Sequence, residues 1–422
     1  MAALLPPPER TADADIVYTG GNDVALLSGG DALFPAMHAA IAEARHEVWI
    51  ATYIFHHDPT AQALAEALAA AARRGVRVRV VVDGFGSKAS LPQLERWFEG
   101  SGVALAVFRP LDRWSSWLQP GQLRRLHQKL FAADDEVAFV GGVNVIDDRV
   151  DLNHGPTAEP RLDFAVALRG PVVGAVAQSA RALWTRAAFG QEWREELLAL
   201  ARSAEPVARA RALMQRLRLA PPLPEAEEAV PPVQVAFVVR DNLRRRRAIE
   251  RSYIEALQSA RVRFDLVSPY FYPGRIFRRT LREAARRGVQ VRLLLQGKLD
   301  YRIAGLAAQV LYDELLGNGV RIYEYTPAFL HAKVALADDD WATVGSSNID
   351  PLSLLLNLEA NVVVRDRAFT AALAAAFEAA VASSREVTAP PVAQGWLAVL
   401  RRGFVAWAAH WFLRLAGLSG RY

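Results

Sequence analysis

Ala71–Gly84 reads AARRGVRVRVVVDG, and Ala284–Gly297 reads AARRGVQVRLLLQG. In each, an Ala/Arg-rich run of helical character meets a glycine, Gly75 or Gly288, and a continuous apolar run follows. Glycine there suits the left-handed C-cap of a helix, and the apolar run suits a buried strand. Upstream of each stretch stands another apolar segment, Glu47–Phe55 (EVWIATYIF) and Val262–Phe271 (VRFDLVSPYF), so both copies spell strand, helix, strand. Such a unit pairs its strands in parallel and lays its helix on the sheet. The expected fold is α/β, with two similar halves, each a mixed, largely parallel sheet flanked by helices.

A second pair of stretches extends the repeat. LHQKLFAADDEVAFVGGVN at Leu126–Asn144 returns as LHAKVALADDDWATVGSSN at Leu330–Asn348. Both carry a histidine, a lysine two positions on and an aspartate five beyond that: His127, Lys129 and Asp134, then His331, Lys333 and Asp338. The chain has 50 Lys+Arg, yet its lysines are only Lys88, Lys129, Lys298 and Lys333. Half of them therefore fall in this motif. Residues i and i+2 of a strand face one side, so each imidazole and its ammonium should point into the same volume. Asp134 and Asp338 lie seven residues beyond the histidines, about 23 Å along an extended chain, which suits holding a turn better than direct chemistry.

Small-residue turns ending in Asn144 and Asn348 follow both motifs, and such turns let backbone amides and an asparagine amide approach an anion. Asp163 in RLDFAVALRG and Glu359 in LNLEANVVVRD stand at matched places before Arg169 and Arg365. A carboxylate that accepts the Nδ1 proton of a histidine fixes its tautomer, and Asp163 and Glu359 are the candidates for that role.

Composition bounds the rest. The chain has 422 residues, 52% of them hydrophobic, which is enough for two or three cored domains and speaks against general disorder. With no cysteine, disulfides, thiolate nucleophiles and Cys-ligated zinc are excluded. A net charge of +5 leans toward anionic partners. Pro221–Pro232 (PPLPEAEEAVPP) reads as a linker between a first half over 1–220 and a second over 233–390. The segment before it, Glu192–Arg218, reads as helical.

Residues 391–422 form a basic aromatic tail. No acidic residue follows Glu386, and Trp396, Phe404, Trp407, Trp411 and Phe412 alternate with Arg401, Arg402 and Arg414. That pattern suits an amphipathic helix lying in a headgroup layer. Neither a secretory signal nor an uninterrupted transmembrane run is expected, so the chain is placed at the cytoplasmic side of the membrane as a peripheral protein. Trp114 and Trp117 are candidates for an apolar lip or equally for core residues, and Arg244–Arg247 for a headgroup contact or a solvated helix face. The pair His56-His57 lacks a companion cluster at ligand spacing and reads as a surface turn.

Two His-x-Lys-x-x-x-x-Asp motifs, each followed by a Gly/Ser turn and Asn, resemble the phospholipase D superfamily over nearly the whole chain. GGVNVIDDR, VDGFGS and NGVRIYEYTPAFLHAK are similar to its bacterial cardiolipin synthase branch. The resemblance implies one active site between the halves and a phosphohistidine mechanism without metal or cofactor. His127 would attack the phosphodiester and His331 would serve as general acid and base, the near symmetry of the halves leaving the reverse assignment open, with the lysines and asparagines on the phosphate. The implied donor is phosphatidylglycerol and the reaction a phosphatidyl transfer. Hydrolysis of phospholipid remains open, as does a nuclease activity, although nucleic acid is the less favoured partner. Oligomeric state is not legible.

Overall fold

A computed structural model of the chain describes residues 16–110, 124–152, 154–201, 213–215, 217, 219, 233–240, 247–298, 311–350 and 357–388. The linker at 221–232, the tail at 391–422, Trp114, Trp117 and Arg244–Arg246 lie outside the described residues, as does most of the segment after Ala201.

In chain order the first half contains β1 (Asp23–Ser28), α1 (Gly29–Glu43), β2 (Glu47–Thr52), α2 (Pro59–Arg73), β3 (Arg77–Asp83), α3 (Leu91–Phe98) and β4 (Ala104–Phe108). It continues with β5 (Leu130–Ala133), β6 (Val137–Gly141), the short strands β7 (Val150–Asp151) and β8 (Gly155–Pro156), β9 (Phe164–Arg169) and α4 (Val172–Ala201). The second half opens with β10 (Gln234–Arg240), α5 (Ala248–Ser259), β11 (Arg263–Ser268), α6 (Arg275–Arg286) and β12 (Gln290–Gln296). After these come α7 (Tyr312–Leu316), β13 (Arg321–Tyr325), β14 (Val334–Ala337), β15 (Trp341–Gly345), β16 (Glu359–Arg365), α8 (Arg367–Ala382) and β17 (Ser384–Glu386).

The repeat stretches fold for the reasons their residues give. Asp58 caps α2 by accepting from Ala61 N at 2.8 Å, with Pro59 in the first turn where its missing N–H costs nothing. The helix stops at Gly75, whose φ of +94° is left-handed, and Gly288 repeats this at +92° after α6. His56 is part of the same cap: its Nδ1 lies 3.2 Å from Asp58, and His57 Nδ1 lies 3.2 Å from Ser90 Oγ.

One sheet has the order β1-β9-β6-β5-β2-β3-β4 and the other β10-β16-β15-β14-β11-β12-β13-β17, the same order with one added edge strand. The parallel part of each is the repeat unit itself, β2-β3-β4 or β11-β12-β13. All other neighbours in the two sheets are antiparallel, the motif strands β5-β6 and β14-β15 among them as tight hairpins.

The outer face of the first sheet is covered by α1, α2 and α3, and that of the second by α5 and α6. The inner faces share a single core. Leu130, Val140 and Val166 from one half pack in the same cluster as Val334, Val344 and Val362 from the other, closed by Val176 and Leu183 of α4 and Phe369 and Leu373 of α8. Each such buried Leu, Val or Phe contributes about 1.5–3 kcal/mol, so this face joins the halves firmly. Among the described residues no helix is long and apolar enough to cross a membrane.

Candidate active site

The sequence places each histidine and lysine on a strand. The structure instead starts β5 at Leu130 and β14 at Val334, so His127–Lys129 and His331–Lys333 form the extended lead-in. The reason lies in their backbone partners, which belong to the other half. His127 N donates to Leu358 O at 3.0 Å and Leu358 N to Arg125 O at 2.8 Å. Reciprocally, Leu162 N donates to Phe329 O and His331 N to Leu162 O, both at 2.9 Å. Leu358 and Leu162 immediately precede Glu359 and Asp163. The two halves are thus laced together at the residues beside their candidate carboxylates.

That lacing decides the partners. His127 Nδ1 lies 3.0 Å from Glu359 Oε2, and His331 Nδ1 lies 2.6 Å from Asp163 Oδ2. Each histidine is oriented by the opposite half, which spacing along the chain had left open. Burial is the largest influence on either carboxyl and raises it. His127, with Lys129 and the Ser346 hydroxyl, nevertheless holds Glu359 below its ordinary value, and His331 with Lys333 does the same for Asp163. An ionised acceptor at Nδ1 puts the proton there and leaves the lone pair on Nε2 of both imidazoles.

Lys129 and Lys333 are buried beside them. Lys129 Nζ donates to His127 O at 2.7 Å, and Lys333 Nζ donates to His331 O. Burial pushes Lys129 down to about 8 and Lys333 down to about 7. Burial likewise lowers both histidines, with Lys333 reinforcing it at His331, which falls to about 3. Both imidazoles are therefore neutral at neutral pH and lie beside ammonium groups suited to an anion.

Other sequence candidates separate into near and far. Asn144 and Asn348 are buried; Asn144 Oδ1 accepts from Ile54 N at 3.2 Å, while Asn348 Oδ1 has no hydrogen-bond partner among the described residues. Asp134 and Asp338 stand at the opposite ends of β5 and β14 from the histidines. Asp134 accepts from the backbone N–H groups of Arg45, His46 and Glu47, and Asp338 from those of Arg261, Val262 and Arg263. Both aspartates of the motif close hairpins, in left-handed conformations (φ 52° and 50°) that aspartate tolerates.

Sequence reasoning missed several supports. Asp83 Oδ2 accepts from Leu126 N at 2.9 Å, and its counterpart Gln296 accepts from Leu330 N at 2.8 Å, each fixing the residue before a histidine. Ser346 Oγ donates to Glu359 Oε2 at 2.5 Å. Tyr53 lies against His127, with ring centroids 5.0 Å apart, and Lys129 Nζ is 5.6 Å from the same ring. The repeated turn after each apolar run, Asp83-Gly84 against Gln296-Gly297, was the available signal for the first pair.

With paired histidines, crossed carboxylates and buried lysines in place, comparison with known proteins becomes specific. A family model described as "Cardiolipin synthase, PLD-like domain" matches residues 37–156 and 253–381, one block in each half. The chain belongs to this cardiolipin synthase, PLD-like family. Among the relatives of this family, cardiolipin synthase B of Escherichia coli (strain K12) is 37% identical over 356 residues, covering 84% of this chain and 79% of that protein. Cardiolipin synthase A of Pseudomonas putida (strain GB-1) is 32% identical over 372 residues, covering 87% of this chain and 70% of that protein. The fold is also that of phosphatidylserine synthase from Haemophilus influenzae Rd KW20, with a TM-score of 0.64 and 11% identity over 92% of this chain and 94% of that one.

Proposed function

We propose that the protein is a phosphatidyltransferase that makes cardiolipin from two molecules of phosphatidylglycerol. The observation that carries this reading is the pair of imidazoles, each tied through Nδ1 to a carboxylate of the other half, with Lys129 and Lys333 beside them. His127 Nε2 attacks phosphorus and the bond to the glycerol oxygen breaks, while His331 gives that oxygen a proton. In the second step the hydroxyl of another phosphatidylglycerol loses its proton to His331. Its oxygen bonds to phosphorus, the phosphorus–nitrogen bond breaks, and His127 is restored. The net products are cardiolipin and glycerol.

Both imidazoles are neutral before the phosphodiester arrives, and the family resemblance, not the electrostatics, assigns the attack to His127 and the proton to His331. The neutral His127 is ready to attack. His331, held low by burial and Lys333, takes up its proton with the phosphodiester, whose negative charge offsets the two lysines. The amides of Asn144 and Asn348 donate to the phosphoryl oxygens as charge gathers there. Water reaching the phosphohistidine instead of an alcohol gives phosphatidic acid, so transfer requires that the acceptor be held in place. The protein acts peripherally on the cytoplasmic face, with the tail beyond residue 390 laid on anionic lipid.

The test is product analysis with labelled phosphatidylglycerol. Cardiolipin with equimolar glycerol is expected; phosphatidic acid as sole lipid product would replace the transferase reading by a phospholipase.

A further inference from the structure

In an extended lead-in, residues two before each histidine share its face: Arg125 with His127, and Phe329 with His331. Both make a cation–aromatic contact with the loop after the matching parallel strand, but in opposite senses. Arg125 lies over the Phe85 ring at 5.6 Å, whereas Lys298 lies over the Phe329 ring at 5.8 Å. Phe85 and Lys298 occupy equivalent positions of the repeat, each following the glycine of Asp83-Gly84 or Gln296-Gly297. The first half therefore carries its cation on the histidine segment, and the second on the neighbouring loop.

The two cations are not equally committed. Arg125 is mostly buried, 3.6 Å from the Asp83 carboxylate, and donates to Arg109 O at 3.2 Å. Lys298 is exposed, donates to the neutral carbonyl of Pro327 at 2.9 Å and makes no ion pair among the described residues. Its aromatic platform is fixed from the other half: the His154 ring stacks on Phe329 at 5.0 Å and 30°, and His154 Nδ1 is anchored 2.9 Å from Asp151. On the opposite side the exposed group is the Phe85 ring, 47% accessible. The Lys298 side thus offers an exposed ammonium with no carboxylate partner among the described residues, whereas on the other side the exposed Phe85 ring stands by Arg125, one of the clustered cations Arg109, Arg124 and Arg125 near the Asp83 carboxylate.

We propose that Lys298, on its Phe329–His154 platform, binds the phosphate of the acceptor lipid. This rests on the transferase reading, because an acceptor phosphatidylglycerol brings a second phosphodiester anion, one glycerol unit from its attacking hydroxyl. Lys129 and Lys333 serve the phosphorus under attack, so the second anion needs a cation of its own near His331. Water and free glycerol carry no such anion. Lys298 therefore selects a phospholipid acceptor over these competitors.

The experiment uses the full-length chain with phosphatidylglycerol vesicles and labelled free glycerol. In the exchange reaction labelled glycerol gives its hydroxyl proton to His331, and its oxygen displaces His127 from phosphorus, forming labelled phosphatidylglycerol. Lys298→Ala is expected to lower the ratio of cardiolipin to labelled phosphatidylglycerol by about tenfold, as loss of a charge-assisted contact implies, and Lys298→Arg to restore it. An unchanged ratio, or equal loss of both products, overturns the acceptor subsite. Failure of the wild-type protein to form either product overturns the transferase reading on which it rests.

Discussion

At Glu359 the carboxylate receives the Ser346 hydroxyl; at Asp163 the matching place is Gly142, where even a Cβ would fall 2.2 Å from Oδ1. The longer acid is held off by a side chain, and the shorter one lies against bare backbone with Phe164 N donating to it at 2.8 Å. The histidines differ in step. After burial, the strongest influence on His127 is Glu359, which favours its proton, whereas at His331 it is Lys333, which opposes it. His331 is also the more accessible, at 24% of its side chain against 12%. Duplication thus supplies two equivalent frames, while the residues filling them give the two imidazoles different electrostatic surroundings.

Removing either imidazole should have the largest effect. His127→Ala and His331→Ala are each expected to cut cardiolipin formation by about a thousandfold or more. Given a phosphodiester with an activated leaving group, His331→Ala should still accumulate a phosphohistidine visible by mass spectrometry, and His127→Ala should not. The opposite pattern would exchange the two roles.

The crossed carboxylates come next. Glu359→Ala and Asp163→Ala should each slow turnover by about a hundredfold, as loss of an orienting partner generally does. Their effects should sort by opposite half: Glu359→Ala suppresses phosphohistidine formation from the activated substrate, while Asp163→Ala leaves it largely intact. Sorting by the carboxylate's own half would contradict the pairing through Leu358 and Leu162.

A pH profile sharpens the contrast at the lysines. A lysine with a depressed pKa is charged only below its folded value, so phosphate binding should weaken as pH rises through about 7 at Lys333 and about 8 at Lys129. kcat/KM is expected to fall by up to about tenfold per pH unit across that window, with the two steps belonging to the coupled pair. A level profile to pH 9 would show that the ammonium groups keep their protons.

Gly142 and Ser346 allow a finer separation. Gly142→Ala should push Asp163 off His331 and cost about tenfold or more, because small misplacements of an orienting group are expensive. Ser346→Ala removes one hydrogen bond and should cost about fivefold. Equal losses would mean that close approach at Asp163 matters no more than the hydroxyl at Glu359.

The strand–helix–strand units and the motif repeat were legible because local pattern carries them: apolar runs, Gly75 and Gly288 as caps, and residue identities at fixed spacing. His127, Lys129, His331 and Lys333 were legible for the same reason. Which acid serves which histidine was not, since the answer lies in the backbone pairing of Leu126 with Leu358 and Leu162 with Leu330 across the halves. No periodicity encodes such a contact. Sequence also overstated the parallel share of the sheets, because a βαβ reading does not count the hairpins that the motif strands add. The Lys298–Phe329 contact was equally hidden, its partners being far apart in the chain and their platform supplied by the other half.

The smallest effect on chemistry is expected at Asp338, which the motif includes and the structure sets apart. Asp338→Ala removes the acceptor for three backbone amides and leaves a non-glycine residue without its local partner at φ 50°. A loss of about 1–3 kcal/mol in unfolding free energy follows from those contacts, with turnover per folded molecule reduced far less. Hydrogen bonds from Val262, Arg263 and Arg261 outweigh burial and hold its carboxyl below the ordinary value. The stabilisation is accordingly complete above the unfolded aspartate range and fades as pH falls through the folded pKa. Urea unfolding of wild type and Asp338→Ala should therefore differ at pH 7 and converge in acid. Loss of activity comparable to His331→Ala in the folded variant would return Asp338 to the reacting centre and undo the division between catalytic and hairpin residues.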